Sequence, residues 1–162
     1  MGGGLQLLFG VMGKGWQSNE IWNKIINSNI KTNFIIRNGF WAPGIDKMKA
    51  RYEYFNNIEK NIFTFCYRGA GNFSYRFYET LMMGRIPIFI DTNCVIPNFE
   101  ILLSNNACVY IKEKDITSPE YIISKINTYF IDNSNSLIQI QKNNRKLWET
   151  YYSPIGFLNN LI

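Results

Sequence analysis

Short apolar runs alternate along this chain with longer segments whose apolar residues recur at helical spacing. The short runs predict strands at residues 5–12, 32–37, 62–67, 86–90 and 107–111. Strands that alternate with helices are typical of βα units, in which the strands lie parallel to one another. The pattern therefore predicts an α/β domain with a parallel sheet.

Capping residues mark where the helices between these strands begin. The predicted starts are Asn19, Asp46, Ser74 and Ser118-Pro119-Glu120. The corresponding helices extend to residues 27, 60, 83 and 130, and Gly84 ends the third. A last helix is expected to run through residue 152. No regular element is predicted between Pro97 and the fifth strand, and residues 154–156 are expected to turn into a short tail.

A glycine-bearing loop follows the third strand and leads directly into a helix. Its sequence is Arg68-Gly69-Ala70-Gly71-Asn72-Phe73-Ser74. A helix start offers unpaired N–H groups and a partial positive charge, and glycines let the backbone approach a phosphate closely. Arg68 and Arg76 flank the loop, and a guanidinium binds phosphate oxygens in a bidentate fork. The segment predicts a phosphate site.

The spacing of the loop differs from two common phosphate motifs. No third glycine completes GxGxxG, and no GK[ST] marks a P-loop, so dinucleotide binding and ATP hydrolysis are disfavoured. Glu79 lies three residues beyond Arg76 on the same helix face. At that position its carboxylate either braces Arg76 or reaches the hydroxyls of a sugar.

The amino-acid composition disfavours several kinds of catalytic and binding site. The chain has 162 residues and no histidine, which removes the commonest general base and zinc ligand. Three cysteines without CxxC spacing disfavour a zinc site and a disulfide framework, and we expect reduced, partly buried thiols. A net charge of +5 suits an anionic partner, but the basic residues form no stripe for nucleic acid. No apolar stretch approaches the ~20 residues that span a bilayer.

The loop belongs to a longer segment that resembles a known family. Residues 68–97, RGAGNFSYRFYETLMMGRIPIFIDTNCVIP, are similar to the carboxyl-terminal region of exostosin-like glycosyltransferases. The upstream TNFIIRNGFWAPG and the downstream WETYYSP fit the same family. The resemblance implies the carboxyl-terminal half of a GT-B enzyme, a Rossmann-like three-layer α/β/α domain that binds a nucleotide-diphosphate sugar. The expected activity is transfer of a hexose or uronic acid to a glycan or another hydroxyl acceptor.

The resemblance also implies roles for individual residues. Those implied to bind the donor pyrophosphate are Arg68, Gly69, Ala70, Gly71, Asn72, Ser74 and Arg76. Glu79 would hold the ribose, and Asp91 would lie near the sugar. Together with Arg76, these two carboxylates form the expected catalytic set. Arg85, in the turn before the fourth strand, and Arg37, at the end of the second, complete the expected substrate site.

The expected partners are a nucleotide-sugar donor, with UDP-sugar as the first choice, and a glycan acceptor. No cofactor and no metal are expected, since Asp91-Thr92-Asn93 lacks the second aspartate of a DxD motif. Residues 1–162 are predicted to form one domain without the amino-terminal acceptor domain of the family, which a separate domain or chain would then supply. The expected location is the cytoplasm, with a Golgi-like lumen as the alternative if another segment or a partner anchors the chain.

Other functions remain open at this point. A nucleotide-sugar-binding module without catalytic activity has the same donor loop and lacks the acceptor half. The hypothesis of a nucleic-acid-binding α/β domain rests only on net charge and aromatic content. A nucleic-acid affinity that falls steeply as the salt concentration rises would support it.

Overall fold

A computed structural model describes residues 33, 35, 44, 46–69 and 71–160 of the chain. The strand predicted at residues 5–12, the helix at 19–27 and nearly all of the strand at 32–37 lie outside the described residues. The expectation that residues 1–162 form one domain therefore stays a prediction.

Three parallel strands form the sheet of the described part. They are β1 (Phe63–Cys66), β2 (Ile86–Asp91) and β3 (Val109–Lys112), and β2 lies between the other two. Phe63 pairs with Ile86, and Ile88 pairs with Val109. Because all three strands run in the same direction, their carboxyl ends meet at one edge of the sheet.

Helices precede and follow every strand. They are α1 (Lys47–Glu59), α2 (Tyr75–Met82), α3 (Phe99–Ser104), α4 (Pro119–Asp132), α5 (Leu137–Leu147) and α6 (Pro154–Asn159). A 3₁₀ turn at Glu113–Asp115 follows β3, and a π-helical turn at Trp148–Tyr152 joins α5 to the segment before α6.

The sheet is covered on both faces, because successive side chains of a strand point to opposite sides. One face packs on α4 and the start of α5, and its buried residues are Phe63, Phe65, Ile86, Ile88, Ile90, Val109, Ile111, Ile122, Ile126, Leu137 and Ile140. The other packs on α2 and α3, with Cys66, Phe77, Leu81, Phe89, Leu102, Ala107 and Cys108. This Rossmann-like α/β/α arrangement confirms the expected fold class.

The predicted boundaries of α1 and α2 are confirmed by their caps. The Asp46 carboxylate accepts a hydrogen bond from the backbone N–H of Lys49 at 2.9 Å. At the end of α2, Gly84 has a φ of +60°, and the N–H of Arg85 donates to the carbonyl of Thr80 at 2.9 Å. This is a Schellman motif, which favours glycine because other residues rarely adopt positive φ.

Two elements differ from the sequence prediction. The six-residue α3 lies where no regular element was expected, because it begins after Asn98 in a left-handed conformation instead of at a recognisable side-chain cap. The short tail expected after residue 153 is instead helix α6. There the Ser153 hydroxyl accepts a hydrogen bond from the N–H of Gly156 at 2.9 Å. The Ser153-Pro154 pair was the missed signal, since proline fits the first helical turn.

Asn144 connects α5 to the sheet. Its side chain is fully buried, and the amide nitrogen donates to the carbonyls of Arg85 at 2.9 Å and Ala107 at 2.8 Å. Arg85 immediately precedes β2, and Ala107 lies shortly before β3. One amide group therefore fixes the starts of two neighbouring strands.

Replacing Asn144 with alanine should lower the free energy of unfolding by about 2 kcal/mol, because one buried and one part-buried carbonyl lose their donor. Urea unfolding followed by circular dichroism measures this change. Asn143→Ala is the matched control, since the Asn143 side chain bonds Gln139 at the exposed surface and its loss should cost under about 0.5 kcal/mol. Equal urea concentrations at the midpoint of unfolding for Asn144→Ala and Asn143→Ala would contradict the role assigned to Asn144.

Candidate functional site

The candidate site lies at the carboxyl edge of the sheet. Arg68 follows β1 after one residue, Asp91 is the last residue of β2, and Glu113 follows β3 directly. In open α/β sheets, ligands bind beyond the carboxyl ends of the strands. The topology therefore brings the predicted loop and the predicted carboxylate Asp91 to the same edge.

The glycine loop is folded back on itself. The N–H of Gly69 donates to the carbonyl of Phe73 at 3.0 Å. A Cβ at Gly71 would lie 2.8 Å from the Phe73 ring, closer than side-chain atoms approach one another. Position 71 therefore tolerates no side chain unless Phe73 moves, which gives this glycine a packing role beside the predicted phosphate role.

The first turn of α2 begins at the end of this loop. Ser74 is the buried cap residue, but its side chain makes no capping hydrogen bond, and the first turn contains no acidic residue. The amino end of a helix carries a partial positive charge from N–H groups without helical partners. This end of α2 is therefore suited to a bound anion.

The arginines at the loop differ in their surroundings. Arg68 is exposed, its guanidinium lies 5.9 Å from the centre of the Tyr67 ring, and its Nε donates to the Tyr67 hydroxyl at 3.4 Å. Arg76 is half-buried in the first turn of α2, and its guanidinium lies 5.6 Å from the centre of the Tyr54 ring. Arg68 thus reaches into solvent, whereas Arg76 is held against α1.

Glu79 is bound by a tyrosine that the sequence did not single out for the site. The Tyr54 hydroxyl on α1 donates to Oε2 of Glu79 in a short hydrogen bond. Burial raises the pKa of Tyr54, and the Glu79 carboxylate raises it further, while Arg76 lowers it. Tyr54 therefore stays a protonated donor and contacts both predicted ligand residues of α2.

Asn72 joins the glycine loop to the loop after β2. Its amide nitrogen lies 3.2 Å from the carbonyl of Thr92 and 3.4 Å from that of Asn93, and the Thr92 hydroxyl donates to its Oδ1. These contacts, which we call the Asn72 latch, use both polar atoms of the side chain. Asn72 thus connects two loops, and its role in substrate binding stays a prediction.

Asp91 is held by the neighbouring strand. Its Oδ2 accepts a hydrogen bond from the Tyr110 hydroxyl at 2.6 Å, and its Oδ1 accepts one from the N–H of Asn93 at 2.8 Å. Burial raises the pKa of Tyr110, and its hydrogen bond to Asp91 raises it further. Each oxygen of Asp91 thus accepts a hydrogen bond from within the chain.

A family model described as the Exostosin GT47 domain matches residues 18–126 of the chain. The match covers more than half of the 162 residues and contains the glycine loop, α2 and β2. The chain belongs to the exostosin family. The resemblance found in the sequence is thereby confirmed.

A relative within this family is the Exostosin-1 homolog of Caenorhabditis elegans. It is 25% identical over 111 residues, and the alignment covers 68% of this chain and 27% of that protein. The aligned part thus spans about a quarter of the curated relative's length. None of the helices in the described part of this exostosin chain is long and apolar enough to cross a bilayer.

The structure does not bring Arg85 to the site. Arg85 precedes β2 and so lies at the amino edge of the sheet, opposite the loop. Its Nε and Nη2 donate to the Glu59 carbonyl at 2.9 and 2.6 Å, and its Nη1 donates to the Met83 and Gly84 carbonyls at 3.2 Å. Its contacts join the ends of α1 and α2. Arg37 and Ala70, also predicted for the substrate site, lie outside the described residues.

Glu113 lies at the edge of the site, although no motif in the sequence selects it. The Tyr67 hydroxyl donates to its Oε1 at 2.5 Å. Burial raises the pKa of Tyr67, and the hydrogen bond to Glu113 raises it further. These residues are 46 positions apart, so only the pairing of β1, β2 and β3 brings them together.

Possible metal ligands and cysteine thiols were compared with what metal binding and nucleophilic catalysis require. Among the described residues, no three aspartate, glutamate or cysteine side chains are grouped closely enough to hold a metal ion. All three cysteines are free thiols, and burial raises the pKa of Cys66 and of Cys108 to about 12. Such thiols stay protonated at neutral pH and are poor nucleophiles. The expectation of a metal-independent site stays a prediction.

Asn72→Ala should accelerate tryptic cleavage after Arg68 about tenfold, because losing the latch contacts destabilises the closed loop by roughly 1.4 kcal/mol. Timed digestion of the folded chain followed by mass spectrometry measures the rate at that bond. Asn127→Ala, on the exposed side of α4, is the control and should digest like the wild type. An unchanged rate in Asn72→Ala would show that the latch does not hold the loop.

Proposed function

We propose that this chain binds a nucleotide-diphosphate sugar and forms the donor-binding part of a glycosyltransferase. The transferred group is a hexose or uronic acid, and the acceptor is the hydroxyl of a glycan or another molecule. The observation that carries the proposal is the loop from Arg68 to Ser74 at the amino end of α2, in a chain of the exostosin family.

The diphosphate is assigned to the loop and to Arg76. Uncapped N–H groups of the first turn of α2 and a half-buried guanidinium supply positive charge on one side of the loop, and exposed Arg68 supplies it on the other. Positive charge that is already in position stabilises the diphosphate while negative charge develops on it during bond breaking. This stabilisation is the main catalytic contribution that we assign to the chain.

The ribose and the sugar are assigned to carboxylates. Glu79 lies one helical turn beyond Arg76 and binds the ribose hydroxyls in our proposal. Asp91 lies at the end of β2, beside the loop, and accepts sugar hydroxyls in our proposal. Both assignments are compatible with the tyrosine hydrogen bonds, since a carboxylate oxygen accepts more than one hydrogen bond.

In the reaction, the bond between the anomeric carbon and the diphosphate oxygen breaks, and the diphosphate keeps the electron pair. A bond forms between that carbon and the acceptor oxygen, whose proton passes to a base. The chain contains no histidine, and our proposal assigns Glu79 to the ribose and Asp91 to the sugar. We therefore assign the base to the acceptor side of the enzyme.

Arg76→Ala should weaken UDP binding by 2 kcal/mol or more, which is about thirtyfold, because a charged hydrogen bond to the diphosphate is lost. Calorimetry at two salt concentrations measures the affinity, and thermal melting checks that the variant is folded. Arg51→Ala removes an exposed arginine that lies over Phe55 on α1 and serves as the control. Equal UDP affinity in the wild type and Arg76→Ala would remove Arg76 from the site.

UDP binding should be unchanged when EDTA replaces added manganese, because arginines and the helix end supply the positive charge that a metal supplies in other transferases. The same calorimetric titration tests this. Binding seen only with manganese would contradict a metal-independent donor site.

Product formation from a UDP-sugar panel distinguishes an enzyme from a binding module. Transfer to an added glycan acceptor, detected by mass spectrometry, would support catalysis by the chain. Saturable UDP-sugar binding without transfer would instead indicate a module that needs an acceptor domain.

A further inference from the structure

Tyr54 contacts both residues of α2 that the proposed function assigns to the donor. Its ring lies under the Arg76 guanidinium at 5.6 Å, and its hydroxyl donates to Oε2 of Glu79. Tyr54 itself belongs to α1, which precedes β1, so α1 reaches the donor residues through one side chain.

The two contacts of Tyr54 restrict the rotation of the Arg76 and Glu79 side chains. Arginine and glutamate side chains have many rotamers, and ordering them when a ligand binds costs conformational entropy. The half-buried Tyr54 contacts both groups, so its ring and hydroxyl reduce the ordering that ligand binding requires. Because burial raises the pKa of Tyr54, its hydroxyl keeps its proton throughout the neutral range.

We propose that Tyr54 is a positioning residue that orients Glu79 for the ribose and Arg76 for the diphosphate. This inference rests on the proposed function and adds to it a residue outside the loop. The Tyr54 hydroxyl takes one carboxylate oxygen of Glu79 and leaves Oε1 to accept from the nucleoside. The ring face holds Arg76 by a cation–π contact.

The hydroxyl and the ring of Tyr54 have separable effects. Tyr54→Phe keeps the ring beneath Arg76 and removes only the donor to Glu79, whereas Tyr54→Leu removes both contacts. Tyr52→Phe is the matched control, because Tyr52 lies on the same helix with 71% of its surface exposed. UDP and inorganic pyrophosphate serve as probes, since only UDP carries a ribose.

Tyr54→Phe should weaken UDP binding about tenfold and leave pyrophosphate binding unchanged, while Tyr54→Leu should weaken both. Glu79→Gln combined with Tyr54→Phe should lose little more UDP affinity than either single change, because both act on the same contact. Tyr52→Phe should bind both probes like the wild type.

Wild-type UDP affinity in Tyr54→Phe would overturn this inference and leave the donor site standing. Equal losses for UDP and pyrophosphate in Tyr54→Phe, with a lower melting temperature, would also overturn it, since Tyr54 would then act only on stability. A wild-type chain that binds neither probe would instead remove the proposed function itself, and this inference with it.

Discussion

The packing of α2 on the sheet determines where the rest of the site lies. Phe77 and Leu81, one turn apart, are buried against the sheet face that carries Cys66 and Phe89. The packing of Phe77 and Leu81 fixes the rotation of α2 about its axis. It directs Arg76 and Glu79 toward Tyr54 on α1 and places the amino end of the helix at the carboxyl edge of the strands. A rotated α2 would separate the charges from the loop.

Tyrosine hydroxyls hold the carboxylates of this edge. Each of three carboxylates accepts a hydroxyl from another element: Glu79 from Tyr54, Glu113 from Tyr67 and Asp91 from Tyr110. Burial raises the pKa of each of these tyrosines, so all of them remain neutral donors. A neutral donor orients a carboxylate without adding a charge of its own. The three tyrosines therefore position these carboxylates and leave their negative charge unchanged.

The sequence predicts local features better than contacts between distant segments. The Asp46 cap, the Gly84 helix end and the order of the three described strands follow from neighbouring residues, and the structure confirms them. The Tyr67–Glu113 pair depends on strand register, which spacing along the chain does not reveal. Arg85 was placed at the site from its neighbours in the motif. Its side chain instead bonds carbonyls at the opposite edge, which only the direction of β2 makes evident.

The structural unit that carries the site extends beyond the family match, which ends at residue 126. Helix α5 lies wholly after that point, yet Leu137 and Ile140 enter the core, and Asn144 bonds the carbonyls of Arg85 and Ala107. Arg85 in turn holds the ends of α1 and α2 through Glu59 and Met83. A connected set of hydrogen bonds at the amino edge thus fixes the strand and the helices whose other ends form the donor edge.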